Sequence, residues 1–81
     1  MSATIHIAES IRCVAQGLPR KVVVPAPHGK TLRQLAIENG IPPILIVFTL
    51  VEGVRRDLED VLEDVPRGDT SIHFHGSIAG G

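Results

Sequence analysis

Aromatic residues are nearly missing from this chain of 81 residues: tryptophan and tyrosine do not occur, and the only phenylalanines are Phe48 and Phe74. A core must therefore be built from valine, isoleucine and leucine, and there is no aromatic set on which nucleic-acid bases could stack. Charge of one sign is missing too. Eight lysines and arginines stand against nine aspartates and glutamates, for a formal net charge of -1. Without a basic stripe, nucleic acid is not an expected partner. A single cysteine, Cys13, excludes an internal disulfide and any zinc site made of cysteines, and suits a reducing compartment. The longest apolar run, residues 44–51, is far too short to span a bilayer. The segment Met1-Ser2-Ala3-Thr4 has neither the basic nor the apolar region of a signal peptide. The expectation is a soluble cytoplasmic protein with no membrane partner.

What is present suffices for one small domain. A chain of this size buries roughly 60% of the surface its unfolded form exposes. Its apolar content of 43% is normal for a folded protein and argues against disorder. The core is modest, and an elaborate catalytic cleft does not fit beside it.

Residues 4–8 alternate, with Ile5 and Ile7 on one face and Thr4, His6 and Ala8 on the other, which is a strand pattern. Ile11 and Cys13 continue the odd-numbered register. Residues 15–19 read as a turn, and Lys21-Val22-Val23-Val24 as a second strand ended by Pro25 and Pro27, antiparallel to the first. Thr31 stands three residues before Gln34 in a capping-box pattern. Leu32, Leu35 and Ala36 recur at helical spacing, Gly40 suits a left-handed cap, and Pro42-Pro43 stops continuation. These signals predict a helix over residues 31–39. Residues 44–51 read as a strand covered on both faces, or in part as one exposed apolar face. Glu52-Gly53 supplies a turn. Residues 54–65, with Leu58, Val61 and Leu62 at helix-like offsets, suggest a short helical turn or a brief fourth strand. Residues 66–69 form another turn. Residues 71–75 alternate again, Ile72 and Phe74 against His73 and His75. Both ends of the chain thus supply strands to one sheet, and the helix lies across one face of it. The fold class is α+β.

The end of the sequence is its most informative feature. Gly80-Gly81 follows only a few residues after the last strand. With glycine at roughly 7% of residues, such a pair arises by chance in about 0.5% of chains. A C-terminal carboxylate is a poor electrophile until it is converted to an acyl-adenylate. An enzyme that performs this step must admit the chain end through a narrow channel. Glycines offer no side chain to clash and adopt backbone angles closed to other residues. Sulfide attack on the adenylate would leave a thiocarboxylate on Gly81, a soft and ionised nucleophile.

The chain resembles the ubiquitin-like sulfur carriers, which include the small subunit of molybdopterin synthase and the thiamine-biosynthesis sulfur carrier. The resemblance spans nearly the whole chain. It is carried by Thr31-Leu32-x-x-Leu35 opening the helix, Gly40-Ile41-Pro42 closing it, the apolar strand running into Val51-Glu52-Gly53, Gly68-Asp69 before the last strand, and Ile78-Ala79-Gly80-Gly81 at the end. It implies a β-grasp domain over residues 1–76, a mixed sheet with one helix packed across it, followed by a flexible Gly-Gly tail over 77–81. It also implies activation at Gly81 by a ubiquitin-activating-type adenylyltransferase that uses ATP and magnesium, with Ile78, Ala79 and Gly80 threading the partner's channel. A sulfur-accepting synthase subunit would be the second partner. The carrier itself holds no cofactor and supplies no catalytic residue. Glu52-Gly53 stands where such carriers often have Asn-Gly, and His75-Gly76-Ser77 where molybdopterin synthase small subunits often have Pro-Pro.

Other residues carry weaker signals. His73 and His75 share one face of a strand and could bind a metal, but no carboxylate or cysteine is placed to complete a site, and no metal is expected. His6 and His28 have no visible constellation. Cys13 on a strand reads as a small buried hydrophobe. The acidic residues Asp57, Glu59, Asp60, Glu63 and Asp64 read as a solvated face, with steering toward a basic partner as a second reading. Phe48 and Leu50 are candidate docking anchors if either faces outward. Two other functions share the pattern: a protein modifier joined to lysines through Gly81, and a noncatalytic interaction module with an incidental Gly-Gly end.

Overall fold

The structure, a computed structural model, describes residues 2–25, 27–60 and 70–77. Five strands form one mixed sheet: β1 Ser2–Ile7, β2 Lys21–Pro25, β3 Phe48–Val51, β4 Val54–Arg56 and β5 Thr70–His75. Their order is β2-β1-β5-β3-β4. β1 and β5 are parallel, and the other three pairings are antiparallel. The first and last strands therefore lie side by side in the middle of the sheet. Two helices accompany it, α1 Glu9–Arg12 and α2 Leu32–Glu38. Among the described residues no helix is long and apolar enough to cross a membrane.

Helix α2 begins and ends where its sequence requires. The Thr31 hydroxyl accepts the Gln34 backbone N–H (3.1 Å), and the Gln34 carboxamide accepts the Thr31 N–H (2.8 Å), which completes the capping box. The N–H groups of Leu32 and Arg33, which lack partners within the helix, donate to the carbonyls of Asp60 and Leu58. At the other end Gly40 takes φ +78°. Gly40 N–H then reaches Ile37 and Ile41 N–H reaches Ala36, the paired bonds of a Schellman cap. Leu32, Leu35 and Ala36 turn inward and pack in one buried cluster with Ala3, Ile5, Ile7, Ile72 and Phe74 of the sheet.

Two expectations from the sequence are corrected. Residues 11–13 do not extend β1: Ile11 and Arg12 belong to α1, and Cys13 is its C-cap. Ile11 is buried in either arrangement, whereas Cys13 lies two residues on, roughly 200° round a helix, and is exposed rather than buried. The run 44–51 is not one strand covered on both faces. Pro43 has no N–H for a strand ladder and instead opens a 3₁₀ turn over Pro43–Leu45. Ile44 is left 90% exposed and Val47 58% exposed. The single expected helix is thus accompanied by α1 and by this turn. Residues 54–56 adopt the fourth-strand alternative. The turn expected at 66–69 and the segment 61–65 lie outside the described residues.

Candidate functional site

The last described residues show where the chain leaves the sheet. β5 is central, held on one side by β1 and on the other by β3. Past its end the backbone stays anchored: Ala8 N–H donates to the Phe74 carbonyl (3.1 Å) and Val47 N–H to the His75 carbonyl (2.8 Å). Gly76 is buried, and its N–H donates to Ser10 Oγ of α1 at 2.9 Å. A Cβ at this position would lie 2.9 Å from the Leu45 carbonyl oxygen, 3.0 Å from Ile11 Cγ1 and 3.2 Å from the Ser10 carbonyl oxygen. The chain is thus clamped between α1 and the 3₁₀ turn, and Ser77 beyond it is exposed. The sequence reading had assigned no role to Gly76 or Ser10. Ile78, Ala79, Gly80 and Gly81, the tail singled out from the sequence, lie outside the described residues.

The sheet face turned away from α2 is the second feature. On β3, Thr49 is buried on the core side, which puts Phe48 and Leu50 together on the outer side, both half-buried. Register pairs Phe48 with His75 and Leu50 with His73 across one edge of β5, and His6 with His73 across the other. A row of rings results. His6 and His73 stack with centroids 4.2 Å apart, His73 and His75 lie 6.2 Å apart, and Phe48 stacks on His75 at 4.6 Å. The Arg55 guanidinium lies 5.5 Å over the Phe48 ring, a cation–π contact. Ser71 Oγ is 3.2 Å from His73 Nε2. His6, which stood alone in the sequence, therefore belongs to a three-histidine cluster.

The environment disfavours the charged form of two rings in this row. His6 is held below the usual histidine value by burial, then by the neighbouring His73 and Lys21. His75 is lowered by burial and then by His73. Protonating one imidazole in such a row repels the next. Phe48 and Leu50 stand beside the imidazoles on this face, with Lys21 on β2 and Arg55 on β4 at its two margins. Among the described residues, no three His, Cys, Asp or Glu groups are already arranged to hold a metal ion.

Beside this face a cleft of about 310 Å³ opens between β3, β4 and the start of α2, with Arg33, Val47, Phe48, Arg56 and Glu59 in its lining. Two of the acidic residues read as a solvated cluster are committed here. Glu59 pairs with Arg33, and Asp60 pairs with Arg56 at 2.7 Å. The Arg56 hydrogen bond holds the Asp60 carboxyl below the usual carboxylate range. Glu63 and Asp64 lie outside the described residues.

Chemically, the described residues offer a sheet face of imidazole and apolar side chains, and a point at Gly76 where the backbone is held as it leaves the sheet. No protein-family model, curated protein or solved structure matched the chain in comparison.

Proposed function

We propose that the chain is a ubiquitin-like sulfur carrier of β-grasp fold, acting through the carboxylate of Gly81. The observation that carries this reading is the Ala79-Gly80-Gly81 sequence beginning four residues beyond His75, the last residue of the central strand. Support comes from the sheet order, in which the first and last strands are parallel neighbours at the centre, and from the clamp on Gly76. Gly76, where the chain is fixed, stands five residues before Gly81. Fully extended, five residues reach roughly 17 Å, enough to enter a partner's active site while the domain stays outside.

In this proposal a Gly81 carboxylate oxygen attacks the α-phosphorus of ATP in the active site of a magnesium-dependent adenylyltransferase, and pyrophosphate leaves. Sulfide then attacks the acyl carbon, and AMP leaves with the C–O bond electrons. The product is a Gly81 thiocarboxylate, whose sulfur a synthase subunit passes to its substrate. The outer face with Phe48 and Leu50 serves as the docking surface, since buried apolar anchors carry most interface energy. All acid–base chemistry belongs to the partners.

The test is incubation with the cognate adenylyltransferase, ATP, magnesium and a sulfur source, followed by intact mass. Replacing one oxygen by sulfur adds about 16 Da at the activated acyl group. Conjugates of higher mass on lysines of other proteins would instead favour a protein modifier.

A further inference from the structure

The outer sheet face brings together three side chains that neither the tail chemistry nor the core explains. We propose that His6, His73 and His75 form a chelating site for a borderline divalent transition-metal cation, of the Ni(II), Cu(II) or Zn(II) class. The argument rests on register. His73 and His75 are two apart on β5 and share a face, while His6 is the direct neighbour of His73 on β1. Three imidazoles therefore rise from adjacent positions of two central strands whose backbones are fixed by the sheet ladder. Such a scaffold limits the entropy lost on gathering the ligands.

The donor set selects the metal. An all-imidazole site suits nickel, copper and zinc, whereas magnesium and calcium require oxygen donors. The adjacent rings lie within 13° of parallel, so their lone pairs run side by side. Two nitrogens that share a metal at about 2.1 Å each stand no more than about 4.2 Å apart. The His6–His73 and His73–His75 centroids lie 4.2 and 6.2 Å apart, so binding requires the rings to turn about their side-chain torsions until a nitrogen of each meets one cation at about 2.1 Å. With Nδ1 of His73 on the metal, its Nε2–H donates to Ser71 Oγ, now 3.2 Å away. Metal-bound histidines characteristically use their second nitrogen in this way. Phe48, stacked on His75 at 4.6 Å, walls the site on one side, and a bound cation leaves positions open to solvent or to a partner's donor.

This inference stands apart from the tail chemistry, and its test needs no activating enzyme. Ni(II) is titrated into the full chain while binding is followed by calorimetry and the histidine ring protons by NMR. The expected result is a saturable single-equivalent site, with paramagnetic broadening of His6, His73 and His75 while the His28 ring stays sharp. His73→Ala should weaken binding at least about tenfold, since even outer partners of metal ligands cost that much, and His28→Ala should change nothing. Broadening of His28 in parallel with the other three, or no saturable binding, would overturn the proposal. So would unchanged affinity in the folded His6→Ala/His73→Ala/His75→Ala variant. The broadening pattern is read on the unaltered protein, so it decides the matter even if a variant fails to fold.

Discussion

Replacing Gly76 by alanine puts one methyl group where the chain leaves the sheet, and the structure sets its cost. The added Cβ would meet two backbone carbonyl oxygens, Leu45 at 2.9 Å and Ser10 at 3.2 Å, and the Ile11 side chain at 3.0 Å. Neither carbonyl can swing aside as a flexible side chain would. Leu45 is fixed in the 3₁₀ turn, and Ser10 in α1. Overpacking a site of this kind costs about 1–3 kcal/mol. The backbone shift that relieves it also loosens the Gly76 N–H bond to Ser10 Oγ, whose net value is about 0.5–1.5 kcal/mol. Together these give a loss of about 2–4 kcal/mol, a large part of the stability of so small a domain. At about 4–8 °C per kcal/mol, the melting temperature should fall by at least about 8 °C. Thermal unfolding followed by circular dichroism measures it. Two variants separate the contributions. Ser10→Ala removes the hydrogen bond alone. Gly53→Ala adds a methyl with nothing within 4 Å but at φ +80°, so it carries only left-handed strain of about 1–2 kcal/mol. If Gly76→Ala melts no lower than Gly53→Ala, the clamp at the tail exit is not as described.

Thr31→Ala removes the cap of α2 and should cost about 1 kcal/mol in urea denaturation, with the midpoint moving and the slope unchanged. Thr49 Oγ1 is buried without a hydrogen-bond partner among the described residues, so Thr49→Val, which replaces an unsatisfied hydroxyl by a methyl, should raise the melting temperature. An equal or lower value would mean that the hydroxyl is satisfied in solution. His6 and His75 have folded-state pKa values below the unfolded value of 6.5. Unfolding therefore takes up protons in that window, and stability should fall as pH drops from about 6.5 through the lower folded values. Denaturant melts with a chelator present should show this slope, and His6→Gln with His75→Gln should flatten it.

Much of the fold is legible in the sequence because its signals are local. Thr31 and Gln34 announce the cap of α2, Gly40 announces its end, and the alternation of Ile72 and Phe74 with His73 and His75 states which side of β5 faces the core. The errors come where a tertiary contact decides. Ile11 sits at a position that strand or helix would bury equally, so the pattern does not distinguish them, and Cys13 goes to solvent with the helical choice. The apolar run 44–51 looks continuous because hydropathy does not register that Pro43 opens a 3₁₀ turn. The site is split in the same way. The Gly80-Gly81 end is visible at once in the sequence. The stacking of His6 on His73 depends on parallel pairing between residues 67 positions apart in sequence, and the need for glycine at 76 depends on the Leu45 carbonyl that meets it.

The central claim concerns one atom at the end of the chain, and intact mass spectrometry addresses it most directly. The full chain is incubated with its cognate adenylyltransferase, ATP, magnesium and a sulfur donor, beside a chain lacking Gly80 and Gly81. The account predicts a species about 16 Da heavier than the starting protein, with the change mapped to the Gly81 carboxyl by fragmentation and absent from the truncated chain. A full chain that forms neither adenylate nor thiocarboxylate, or a truncated chain that gains the same mass, would contradict it.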